Sequence, residues 1–140
     1  MKLNYMKNNF TSFEQSKRLI ELGVPVDSAD CVGYIVDKSD IFNEYFQKGE
    51  TRITAINPRH TYTQVTTLKC GEVWIDEPFP CWSVGRLIEL HRACTTLPEE
   101  QYMFPFWYDT QDNVEWAIRV LESGIRTGNI DFSKLEKIML

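Results

Sequence analysis

Histidine is scarce in this chain, with 2 among 140 residues, so an imidazole base or ligand could come only from His60 or His91. The sequence contains no Gly-x-Gly-x-x-Gly, no Walker-type phosphate loop, no Gly-x-Ser-x-Gly and no His-Glu-x-x-His. Those absences remove the dinucleotide, P-loop, hydrolase-elbow and zinc-protease signatures, without excluding a less familiar enzyme. Apolar runs are only a few residues long and residues 1–9 are polar and Asn-rich, so neither a membrane span nor a signal peptide is expected. The expected location is the cytoplasm. Basic residues are outnumbered 15 to 20 by acidic ones, and a net charge of −5 disfavours general affinity for phosphate backbones. Nucleic acid and membrane are therefore not expected partners. The 4 cysteines, Cys31, Cys70, Cys81 and Cys94, form no Cys-x-x-Cys pair. They read as reduced thiols packed as small hydrophobes.

Apolar residues make up 43% and charged residues 25%, the composition of an ordinary globular protein. At this length one core buries roughly two thirds of the unfolded surface, so a single domain over 1–140 is expected, with 1–10 as a polar arm. A first helix is predicted over 12–22. Thr11 or Ser12 would cap it, Glu14 or Gln15 would reach back as in a capping box, and Gly23 would end it. The run 31–36 is too short for most helices and rich in strand formers, so it reads as a buried strand. Residues 39–49 carry apolar side chains at helical spacing and predict a short helix, followed by a strand over 51–56. The β-branched and aromatic runs 61–68 and 72–76, split at Cys70-Gly71, predict an antiparallel hairpin.

Pro78-Phe79-Pro80 would stop that strand, and Ser83 would cap a second long helix to about Cys94, with Val84, Leu87, Ile88, His91 and Cys94 in one stripe. Residues 101–108 alternate aromatics, but Pro105 confines such a strand to an edge. A further helix follows Thr110 or Asp112 to about Arg126. It would bury Val114, Ala117, Ile118, Leu121 and Ile125, and pair Glu115 with Arg119 and Glu122 with Arg126. The segment 130–140 would add a short helix capped by Ser133, a docking tail for the domain or for a second copy. The expected fold is α+β, an antiparallel sheet of about four to five strands with two or three helices on one face.

Four constellations could carry chemistry. Cys70, Cys81, His91 and Cys94 supply the ligand types that zinc accepts, with His91 and Cys94 three apart on one helix face, yet their spacing matches no common zinc module. The alternative has Cys94 in the core and His91 at the edge of the stripe. Cys81 stands just before a helix start, where the dipole lowers a thiol's pKa, and His60 is the base it would need. The plainer reading has Cys81 filling a small apolar site. Asp76 and Glu77 are neighbours at a strand end and would project to different sides, which favours a solvated role. Trp74, Trp82, Trp107, Tyr108 and Trp116 could line a pocket for a planar ligand, with Trp82, Trp107 and Tyr108 the binding candidates. A core built from large rings is the simpler account. No cofactor is expected.

Glu14-Gln15-Ser16-Lys17 with Leu19 and Glu21-Leu22-Gly23, then Ser28-Ala29-Asp30, then Pro80, Trp82-Ser83 and Leu87-Ile88-Glu89-Leu90, together resemble a group of small uncharacterised proteins from prophage and mobile-element regions of gut bacteria. The resemblance covers roughly a third of the chain. It departs from that pattern at Cys81, where alanine is usual, and over 37–60. It implies a small α+β protein and brings no catalytic residue. The expected function is that of a non-catalytic interaction or accessory protein of phage or mobile-element origin, with a protein partner or a second copy. The alternative is a small ligand-binding protein or cysteine-dependent enzyme with a cleft near 80–83.

Overall fold

In the computed structural model, which describes residues 9–35, 51–67, 78–98 and 112–135, helix α1 spans Phe13–Glu21. Ser12 Oγ accepts from the Gln15 amide at 3.1 Å, and Gln15 Oε1 accepts from the Ser12 amide at 3.0 Å, completing the capping box. Gly23, at φ +94°, turns the chain out of the helix, and the Val24 amide returns to the Leu19 carbonyl at 3.1 Å. A 3₁₀ turn at Val26–Ser28 then leads into strand β1, Cys31–Ile35.

β1 is central among the described strands. It pairs antiparallel with β2, Thr51–Ala55, on one side and with β3, Phe79–Cys81, on the other. Among the described residues, helices are thus combined with a three-stranded antiparallel sheet. The predicted strands at 72–76 and 101–108 and the predicted helix at 39–49 lie outside the described residues.

Two expectations are corrected. The 61–68 run is not the first arm of a hairpin: Tyr62–Thr67 forms a short helix, α2. A second capping box starts it, with Gln64 Oε1 accepting from the Thr61 amide at 2.9 Å and Thr61 Oγ1 accepting from the Gln64 amide at 3.2 Å. Asp27 Oδ1 adds a tertiary anchor by accepting from the Thr63 amide at 2.9 Å, and these local bonds override a β-type composition. Second, Phe79–Cys81, read only as part of a stop, itself forms strand β3, outermost among the described strands, while the strand it was expected to stop lies outside the described residues. Proline is tolerated there because Pro80 lies opposite Val32 at a position that demands no donor.

Helix α3, Val84–Cys94, is capped by Ser83 and buries Leu87, Leu90 and Cys94. Helix α4, Asn113–Arg126, is capped by Asp112, whose side chain accepts from the Glu115 amide at 3.0 Å. Val114, Ala117, Ile118 and Leu121 are buried, while Ile125 is partly exposed. The main core joins these helices to Leu19, Val32, Tyr62 and Trp82. On the opposite face of β1, Cys31, Phe79 and Cys81 make a second, smaller cluster, with Phe10 and Ile53 against it. Residues 129–135 fold back onto the end of α3 and the main core. The Asp131 amide donates to the Cys94 carbonyl at 2.7 Å, Lys134 Nζ donates to the Thr95 carbonyl at 2.6 Å, and Leu135 is buried. The 3₁₀ turn in this segment, Phe132–Leu135, starts from Asp131 and not from the expected cap Ser133: the Asp131 carboxylate accepts from the Ser133 amide at 3.0 Å.

Candidate functional site

Three sequence clauses meet in one place: Thr11 to Ser16, Ser28-Ala29-Asp30, and Pro80 to Ser83. Residues 9–11 run antiparallel to 82–84, with the Thr11 amide donating to the Trp82 carbonyl at 2.9 Å and the Val84 amide to the Asn9 carbonyl at 2.9 Å. That pairing buries Thr11, whose Oγ1 accepts from the Trp82 amide at 3.0 Å and is hydrogen-bonded to Ser16 Oγ at 2.7 Å. Trp82 is 0% exposed, and its indole Nε1 donates to Ser28 Oγ at 3.0 Å. Asp30 takes both donors of Ser83, the amide at 2.9 Å and the hydroxyl at 2.6 Å. The same Ser83 oxygen accepts from the Arg86 amide at 3.1 Å, so one hydroxyl caps α3 and ties it to the turn before β1. Arg86 Nε closes the circuit by donating to the Ser28 carbonyl at 2.8 Å.

Chemically, this cluster is a polar lock, buried at Thr11, Ser16, Ser28 and Trp82 and part-buried at Asp30, Ser83 and Arg86. Each donor has an acceptor inside the protein, which is what burial of polar groups requires. Cys81 is 0% exposed and is held by Thr11, donating to its carbonyl at 3.3 Å. Burial pushes its thiol up to about 11, against the smaller downward effect of the Thr11 bonds. A protonated thiol is a poor nucleophile at neutral pH. His60 stands exposed on the turn at 57–60, its amide bonded to the Asn57 carbonyl at 2.8 Å.

The other candidates are spread through the fold. Cys94 is buried in the main core, and burial pushes its thiol up to about 11. His91 is half-buried, and burial lowers its pKa. Among the described residues no three His, Cys, Asp or Glu side chains gather in a way that could hold a metal ion. Trp116 is partly buried on α4, whereas Cys70, Trp74, Asp76, Glu77, Trp107 and Tyr108 lie outside the described residues. The sequence offered Thr11 only as a possible cap of the first helix, a place that Ser12 takes, and gave no role to Arg18. Arg18 reaches from α1 to α4, pairing with Glu115 and Glu122, each at 2.9 Å. The signal for Asp30 was present: an acidic residue just before a strand can receive a serine that also caps a helix.

Among the described residues the exposed large apolar side chains are Phe13, Ile20 and Leu97. Phe13 and Ile20, seven apart on α1 and so on one side of it, are 42% and 41% exposed. Phe13 also stands edge-on to Phe79, with ring centres 5.4 Å apart. Among the described residues no helix is long and apolar enough to cross a membrane. No protein-family model, curated protein or solved structure matches the chain.

Proposed function

We propose that this protein is a non-catalytic interaction or accessory protein of phage or mobile-element origin, acting in the cytoplasm by binding another protein, with a second copy of itself as the first partner to test. The observation that carries the reading is how the distinctive side chains are spent. Thr11, Ser16, Ser28 and Trp82 are buried, Asp30 and Ser83 are part-buried, and all six make hydrogen bonds to one another inside the lock. Meanwhile α1 keeps Phe13 and Ile20 toward solvent, and apolar side chains on one side of a surface helix are suited to a protein contact. The net charge of −5 fits a protein partner better than a nucleic acid. A cleft enzyme with Cys81 as nucleophile needs an accessible thiolate, and the burial of Cys81 counts against it. A sheet of four to five strands belongs to the same proposal, with the described three as its base.

Light scattering after size exclusion tests the binding surface. The natural chain is expected at the mass of two copies, and Phe13→Glu with Ile20→Glu at the mass of one, with unchanged circular dichroism. A natural chain that stays monomeric at its highest soluble concentration removes self-association. A charged double variant that still dimerises removes α1 as the surface.

A further inference from the structure

The strand register sets Cys31 directly opposite Cys81 in the antiparallel pair of β1 and β3. Opposed residues project from the same face, and the two thiols share the small cluster with Phe79, at 3% and 0% exposure. Pro80 fixes which kind of pair this is. It has no N–H, so its pair with Val32 can only be one of those that exchange no hydrogen bonds, and pair types alternate along the ladder. Cys31 and Cys81 therefore occupy a hydrogen-bonded pair, a type whose Cα atoms lie about 5.5 Å apart, inside the range of about 4.4–6.8 Å that a disulfide spans. Cys94, the other described thiol, is buried in the separate main core.

We propose that Cys31 and Cys81 are an oxidisable cross-strand dithiol, which a small-molecule disulfide of the glutathione class converts to an intramolecular disulfide in the folded chain. The Cys81 thiolate attacks one sulfur of the oxidant, breaking its S–S bond, forming a mixed disulfide and releasing one thiolate. The Cys31 thiolate then attacks the Cys81 sulfur, forming the protein disulfide and expelling the second thiolate. The two protons lost by the cysteines go to the two leaving thiolates, so two protein thiols are oxidised as one small disulfide is reduced. Cys81 reacts first because it sits on a three-residue strand, outermost among the described strands, which opens more easily than central β1. Closure replaces the hydrogen bond from Cys81 to the Thr11 carbonyl. Burial raises both thiols, so the reaction is slow at neutral pH and faster in alkali. The finished bond fastens β3 to the sheet and closes the loop from 31 to 81, which raises thermal stability. This inference is independent of the binding role proposed above.

The test is incubation of the full folded chain with oxidised glutathione over a pH series, then alkylation in denaturant and peptide mapping. The expected product is a monomer two hydrogens lighter, with the peptides of Cys31 and Cys81 joined. Its formation should quicken as pH rises, and its Tm should be higher by about 5 °C or more. Cys94→Ala should keep the cross-link, and Cys31→Ala should stop at a glutathione adduct on Cys81. Joining to Cys70 or Cys94, a bond between two chains, or a cross-link that forms only in denaturant would each overturn the proposal. The map of the unsubstituted chain decides the matter even if a variant fails to fold.

Discussion

Trp82 shows how much one residue can hold at once. Its amide, carbonyl and indole N–H bind Thr11 Oγ1, the Thr11 amide and Ser28 Oγ, while the ring is fully buried in the main core. Trp82→Phe keeps an aromatic ring but removes the donor to Ser28 and leaves a void beside a buried hydroxyl. The expected loss is about 2–4 kcal/mol in urea unfolding, the cavity contributing more than the hydrogen bond. A loss near zero would mean that the ring is not closely packed. Sequence alone made Trp82 and Cys81 conspicuous and Ser83 a cap. It could not show that Ser28, Asp30 and Thr11 close around them, because those contacts span 53 to 71 residues of chain. Tertiary hydrogen bonds leave no periodicity, so the lock was legible only as separate clauses.

At the scale of elements, legibility followed the locality of the signal. Helices α1, α3 and α4 carry their caps and stripes within a few residues, and each forms close to its expected bounds. Helix α2 was hidden by alternating β-branched residues, although Thr61 and Gln64 hold the spacing of a capping box. β3 was hidden by Pro80, since edge tolerance depends on which neighbour the strand meets. The packing of α4 against the docked tail was hidden too, and it turns on Gly124. A Cβ there would lie 2.6 Å from Ile130 Cγ1, too close for a relaxed contact. Ala is better than Gly in a helix by up to about 1 kcal/mol, so propensity alone predicts that Gly124→Ala stabilises. Steric overlap should win, giving a net loss of about 1–2 kcal/mol, and Ile130→Ala added to it should recover part of that loss. A more stable Gly124→Ala on calorimetry would show that the tail moves aside at little cost.

For the whole molecule, pH sets two electrostatic effects against each other. Acid first relieves the self-repulsion of a net charge of −5, then destroys the ion pairs that join α1 to α4. Burial works to raise the Glu115 carboxyl, but its bonds to Arg18 and Arg119 outweigh that and hold it below the usual carboxylate range. A carboxyl depressed by folding contributes stability that is fully present above its unfolded pKa and is lost as pH falls through its folded pKa. Half-buried His91 adds to the same acid limb one step earlier, because a histidine lowered by folding loses its contribution as pH falls from its unfolded value of about 6.5 through its folded one. Arg18→Met separates the ion pairs from the rest by keeping an apolar stem and removing the charge. Arg18 and Glu115 are 36% and 20% exposed, so after solvent screening the variant should be less stable by only about 0.5–1 kcal/mol at pH 7. That difference should shrink with added salt and vanish as pH falls below the depressed pKa of Glu115, where natural and substituted chains should unfold alike in urea. A difference that persists undiminished in acid would mean that Arg18 joins the two helices by packing its stem and not by its charge.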